Sequence, residues 1–167
     1  MKQVEVANLE PLFKEQAALD ATIAANHNVN YASTRPRRIL ALIVEIGELA
    51  NATRCFKYWS NKGSEEKAIV LDEYADGLHF FLSLGIDIGS NRKQYQIDLS
   101  PNTLTNQFLD VYHLIDDFVQ EPSEKNYEIA FNAFLHLIPL LNFTWNDVQK
   151  AYYEKLGTNY VRQDTNY

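Results

Sequence analysis

The chain has 167 residues, 46% of them hydrophobic and 22% charged, and carries a formal net charge of -7. That length is enough for one well-buried core and short for two, so a single domain is expected. The acidic balance excludes a broad nucleic-acid or anionic-membrane surface, which needs an excess of Lys and Arg to meet phosphates.

The one cysteine, Cys55, leaves no intramolecular disulfide and fits a reducing cytoplasm, where it would serve as a small packing residue. No basic stretch followed by an apolar run opens the chain, and no apolar run reaches about 18 residues, so neither secretion nor membrane spanning is expected.

Helical spacing dominates. Leu9, Leu12, Phe13, Gln16, Leu19, Asp20 and Ile23 recur at three- and four-residue steps and define the face of a first helix. Residues 26–35 are Asn-rich and aperiodic, which reads as a loop, and Pro36 then suits the first turn of a second helix running to about Lys57. Asn61-Lys62-Gly63 reads as a turn, and Ser64 as the cap of a third helix with Glu65 and Glu66 in its first turn, ending near Leu84-Gly85.

From Ile86 to Asn102 no stripe persists. Tyr95, Ile97 and Leu99 alternate as a strand would, but three positions are thin support, and the segment reads as a connector. Thr103 or Asn102 caps a helix bearing Phe108, Val111, Ile115 and Phe118, and Pro122-Ser123-Glu124 starts another, which Pro139 kinks or shortens. Thr144 and Asp147 form a capping pair for a last helix that Gly157 closes, leaving a polar tail over 158–167. The expected fold is all-α, a bundle of about five or six helices.

Within it, Glu45-x-x-Glu48 and Glu73-x-x-Asp76 place four acids inside the apolar stretches ILALIVEIGELANA and AIVLDEYADGLHFFLSL. Residues three apart share a helix face, and the pairs lie roughly equidistant from the turn at 61–64, so in an antiparallel hairpin they meet at one level. Four converging carboxylates make an oxygen-lined pocket for Mg²⁺ and, through it, a phosphorylated substrate; the alternative is two solvated helix faces.

Arg54, Lys57 and Lys62 alternate with Phe56, Tyr58 and Trp59 in RCFKYWSNK. That mixture suits phosphates beneath an aromatic cover, or simply a helix end with favourable cations. Gln16 and Asp20 are polar within an apolar stripe, either as buried hydrogen bonds or as partners for a nucleobase edge. His79, three residues after Asp76, is a core or pocket histidine more readily than a ligand.

Glu45-x-x-Glu48, RCFKYWSNK, LDEYADGLHFFLSLG at 71–85 and a tail with Asn159, Arg162, Gln163 and Tyr167 together resemble the dimeric, all-α dUTP pyrophosphatases of bacteria and phages. Those belong to the all-α NTP pyrophosphatase superfamily, and the resemblance covers roughly residues 9–85 and 145–167. It implies a homodimeric enzyme that hydrolyses dUTP to dUMP and pyrophosphate, with dUDP as an open second substrate. Two or more Mg²⁺ ions, with Mn²⁺ as substitute, would be held by Glu45, Glu48, Glu73 and Asp76, and water would be deprotonated with help from Glu48 or a neighbouring acid.

The resemblance also implies uracil contacts from Gln16, Asp20, Trp59 and His79, and sugar and phosphate contacts from Lys155, Asn159, Arg162 and Tyr167, with Lys57 and Lys62 beside them. Leu156 and Asn166 depart from the tail pattern, which has Asn and Gly there. Three alternatives remain open: a related pyrophosphatase acting on dCTP or a modified nucleotide, a di-iron bundle, and a helical interaction protein. A di-iron site needs two Glu-x-x-His units, and only Asp76-x-x-His79 approximates one. A regulatory protein partner is compatible with the sequence but not named by it.

Overall fold

The computed structural model describes residues 5–167 and is built of helices with one small two-stranded antiparallel sheet. In chain order the elements are β1 (Glu5–Asn8), α1 (Glu10–His27), α2 (Tyr31–Thr53), α3 (Lys67–Asp87), β2 (Gln94–Ile97), α4 (Leu104–Gln120), α5 (Glu124–Leu135), the single turn α6 (Leu137–Leu140) and α7 (Trp145–Asp164). The all-α expectation holds, with six helices longer than one turn. Helix α3 lies at the centre, packed by α2, α7, α1 and α5.

Several boundaries differ from the sequence reading, each for a local reason. The Asn-rich stretch is helical on both sides of a tight break. Asn28 takes a left-handed φ of 51° to close α1, and Asn30 caps α2 through a box in which its side chain accepts from the Ser33 amide and Ser33 Oγ accepts from the Asn30 amide. Pro36 therefore falls inside α2, not at its start. Its missing N–H deprives only the carbonyl of Ala32, an exposed residue that water can serve.

Helix α2 ends at Thr53, short of Lys57, where Arg54 takes a left-handed φ of 59°. Ser64 does not cap α3: its hydroxyl and the Glu65 amide both donate to Ala52 O, at 3.4 and 3.0 Å, which pins the incoming strand of chain against the end of α2. Glu65 and Glu66 thus precede α3, which continues to Asp87, past the expected stop at Leu84-Gly85. The connector at 86–102 contains β2, which pairs antiparallel with β1 in the register Glu5 to Ile97 through Asn8 to Gln94.

Of the two candidates Thr103 caps α4, Thr144 caps α7 through the reciprocal box with Asp147 as read, and Ser123, within the break that was read to start α5, proves to be its cap. Gly157 does not close α7, which runs to Asp164 and turns most of the expected tail into helix. A mid-helix glycine costs about 1 kcal/mol relative to alanine, and burial of Tyr152, Lys155 and Leu156 on the preceding turns outweighs it.

Tyrosines stitch the bundle. Tyr74 and Tyr127 are fully buried, and each phenol donates to a backbone carbonyl across the α3–α5 contact, Tyr74 to Phe134 O at 2.9 Å and Tyr127 to Phe81 O at 2.7 Å. These bonds satisfy groups that burial would otherwise penalise. Tyr127 also explains Gly85: a Cβ built there would lie 2.6 Å from Tyr127 Cζ. We therefore expect Gly85→Ala to destabilise the fold by about 1–3 kcal/mol through overpacking, read as a lower urea midpoint with an unchanged slope.

Candidate functional site

The α2–α3 hairpin brings three of the four acids into one group, with Glu48 beside it. One carboxylate oxygen each from Glu45, Glu73 and Asp76 lies within 4.8 Å of the others, and Glu48 is within hydrogen-bonding reach of Glu45. Burial pushes Glu45 up to about 8, helped by the charge of Asp76, by a hydrogen bond and charge from Glu48, and by Glu73. Glu73 and Asp76 are also raised, mainly by burial. Glu45 Oε2 and Glu73 Oε2 are both buried without a hydrogen-bond partner. Orphaned carboxylate oxygens of this kind are what a hard, oxygen-preferring cation would satisfy, so the donor set fits a divalent metal.

Two cavities meet at the acids. The first, about 610 Å³, has Glu45 and Asp76 on one side and Gln16, Asp20, His79 and Arg162 on the other. The second, about 660 Å³, is lined by Glu48 and Glu73 together with Asn51, Arg54 and Lys57. The cluster therefore faces a pocket of mixed polar and apolar walls on one side and a cleft with two cations on the other.

The wall of the first pocket is a fixed polar network. Gln16 Nε2 donates to Asp20 Oδ1 at 2.9 Å, while Gln16 Oε1 accepts from Tyr152 OH at 3.1 Å and lies 2.6 Å from His79 Nδ1. Because that oxygen can only accept, His79 carries its proton on Nδ1. Burial pushes His79 down to about 4, so the ring is neutral, and it stacks on Tyr152 at 4.3 Å between centroids. Tyr31 OH donates to Asp20 Oδ2 at 3.0 Å, holding the carboxylate from the opposite side.

Of the residues singled out from sequence, Gln16, Asp20, His79, Asn159 and Arg162 line the first pocket with Glu45 and Asp76, and Lys57 lines the second with Glu48 and Glu73. Trp59 does not line either: it is 64% exposed and packs edge-on against Tyr58 and Phe56. Lys62 is exposed, with its backbone carbonyl accepting from Arg54 Nε at 3.1 Å. Tyr167 is exposed under the Arg162 guanidinium, 4.7 Å from its ring centre. Lys155 is buried on Asp72 and Asp76 and lines neither cavity.

A family model described as dUTPase matches residues 8–167. The chain belongs to the dUTPase family. It is a dUTP diphosphatase, which hydrolyses dUTP to dUMP and pyrophosphate. Among curated proteins none matches the chain. Within the described residues no helix is long and apolar enough to cross a membrane.

Sequence reasoning missed Tyr31, Arg38, Asp72 and Asp87. Arg38 lines the dUTPase's first pocket and donates from Nη2 to Asp87 Oδ2 at 2.6 Å, while Arg35 donates to both Asp87 oxygens at 2.8 and 2.7 Å. The triad joins the start of α2 to the end of α3, and of its members Arg38 reaches the pocket wall. A sequence signal existed only as two arginines three apart, in a segment read as loop and helix start.

Burial alone would raise the Asp87 carboxyl, but the Arg35 and Arg38 guanidiniums outweigh it and hold it below the usual carboxylate range. A folded-state value below the unfolded one contributes stability above the unfolded value, and that contribution is lost as pH falls through the folded one. Asp87→Asn should therefore lower stability at pH 7 by about 1–3 kcal/mol, and its gap from the unaltered protein should close as pH drops below about 4, measured by urea unfolding across pH.

Proposed function

We propose that this dUTPase works with Mg²⁺ held by Glu45, Glu48, Glu73 and Asp76. The observation that carries the reading is the pair of buried, partnerless oxygens on Glu45 and Glu73 beside Asp76. Mg²⁺ in such a site lowers the pKa of water and neutralises charge on the phosphates, and Mn²⁺ could replace it with the same oxygen ligands.

The chain's own groups divide the remaining work. Glu48, next to Glu45 and open to the cleft, is placed to take the proton from the attacking water, while Arg54 and Lys57 across that cleft hold phosphate oxygens of the substrate. On the other side the immobilised Gln16 carboxamide, with Asp20 and His79, offers directed polar groups to the edge of uracil. Asn159 and Arg162 on the same pocket serve the sugar and phosphates. Trp59, Lys62 and Tyr167 are exposed on one protomer, which suits closure over bound nucleotide or contact with a second copy.

A homodimer is supported by exposed apolar side chains close to one another in sequence, Leu40 and Val44 on α2 and Tyr58 and Trp59 beyond it. The free Cys55 agrees with a cytoplasmic protein. Residues 1–167 are read as one domain, of which 1–4 lie outside the described residues, with 86–143 as a variable, mainly helical segment.

Purified protein with Mg²⁺ should release pyrophosphate from dUTP much faster than from dCTP, dTTP or UTP, and full activity after exhaustive chelation would refute the metal reading. Equal rates on dCTP would instead favour a broader pyrophosphatase. Glu48→Gln keeps the side-chain shape and removes the base and its charge. Its kcat should fall by about 100-fold or more with an unchanged far-UV CD spectrum, and near-normal turnover would exclude Glu48 from both roles.

A further inference from the structure

Lys155 is the one cation in direct contact with the acid cluster among the described residues, and it is placed differently from a substrate ligand. Its ammonium lies 2.9 Å from both Asp72 oxygens and 3.1 and 3.3 Å from those of Asp76, with 7% of the side chain exposed. Asp72 and Asp76 are one turn apart on α3, so the ammonium from α7 sits between two carboxylates on one helix face. The contact to Asp72 is the shorter, although Asp72 is 56% exposed and Asp76 only 22%.

Asp76 has two claimants, Lys155 and any cation shared with Glu45 and Glu73. An ammonium this close repels a divalent cation and at the same time neutralises part of the negative charge when none is bound. Asp72 gives that ammonium a partner of its own, outside the group of Glu45, Glu73 and Asp76. Asp72 and Lys155 line neither of the two cavities where nucleotide is expected.

We propose that Lys155 is the resident counter-ion of the acid cluster, which sets how tightly the protein holds a divalent cation, and that Asp72 is a positioning residue acting through it by drawing the ammonium away from Asp76. The proposal rests on the divalent-metal reading of the site. It makes the two residues act with opposite sign: the lysine weakens cation binding and the aspartate strengthens it.

The test is calorimetric titration of Mg²⁺ into nucleotide-free protein. Lys155→Met, similar in volume, should tighten Mg²⁺ by about 5-fold or more, and Asp72→Asn should weaken it by about 3-fold. In the Lys155→Met background, Asp72→Asn should have little further effect, because its partner is gone. Thermal unfolding supplies a second readout, with a larger Mg²⁺-induced rise in Tm for Lys155→Met than for the unaltered chain.

Mg²⁺ affinity that is unchanged or weaker in Lys155→Met, with the KM for dUTP raised about 10-fold or more, would overturn the proposal in favour of a direct substrate contact. An equal effect of Asp72→Asn in both backgrounds would overturn the positioning role. No saturable Mg²⁺ binding by the unaltered protein would overturn the metal reading and this inference together, whereas normal binding with unresponsive variants overturns only the inference. If Lys155→Met does not fold, Asp72→Asn at its half-exposed position decides alone: weaker Mg²⁺ supports the proposal and unchanged Mg²⁺ refutes it.

Discussion

The repulsion among carboxylates gathered between α2 and α3 governs the design of this protein. At the 4.8 Å that bounds the separation of the Glu45, Glu73 and Asp76 oxygens, two full charges in a medium of effective dielectric about 20 repel by about 3 kcal/mol. Three such pairs would strain the hairpin if every acid were ionised and unpartnered. Proton uptake at Glu45 and the ammonium of Lys155 both reduce that burden. What keeps α3 from relaxing away is packing on its other faces, where Tyr74 stacks on Phe134 at 4.4 Å and Tyr127 reaches Phe81 O. The large apolar core holds a polar defect open, and clustered groups with perturbed pKa values of this kind are where functional sites are found.

That defect has two sides because residues three apart on a helix share a face without pointing in identical directions. Glu45 and Asp76 turn toward the pocket that α1, α2 and α3 build with two residues of α7, whereas Glu48 and Glu73 turn toward the cleft lined in part by the 54–66 loop. A nucleoside triphosphate has the same division, with a flat base at one end and a chain of anions at the other. The polar wall of Gln16, Asp20 and His79 is fixed before any ligand arrives, since each group already bonds to another. Such preorganisation lets a hydrogen-bonding pocket reject a base whose pattern of donors differs.

The local parts of this arrangement were legible in the sequence, and the long-range parts were not. Helical period and the distance from the turn put both acid pairs at one level, because rise per residue is a property of the backbone alone. The capping residues Thr103 and Thr144 were legible for the same reason, as caps bond within a few residues. Asn30 and Ser33 form an equally local box, but the surrounding asparagines masked it and Pro36 drew the helix start five residues too late. Strand β2 depends on a partner about ninety residues earlier, so its three alternating positions carried little signal by themselves. Asp72, Arg38, Tyr31 and Asp87 gain their meaning from partners on other helices, which no spacing rule reveals.

Helix α7 shows most clearly how one unforeseen local outcome organises the rest. Had Gly157 ended it, the residues beyond would be an independent tail. Because the helix continues, Tyr152, Lys155, Asn159 and Arg162 fall at steps of three, four and three residues and share one face. That face touches the Gln16 network with Tyr152, the acid cluster with Lys155 and the first pocket with Asn159 and Arg162. Its register is fixed at the other end by the Thr144 and Asp147 box, by Lys67 pairing with Asp147 at 3.0 Å, and by the Trp145 amide donating to Glu5 at 2.8 Å. A rigid element whose side chains reach the Gln16 network, the acid cluster and the first pocket cannot move one without moving the others. Proper seating of α7 is therefore a condition for bringing these groups together.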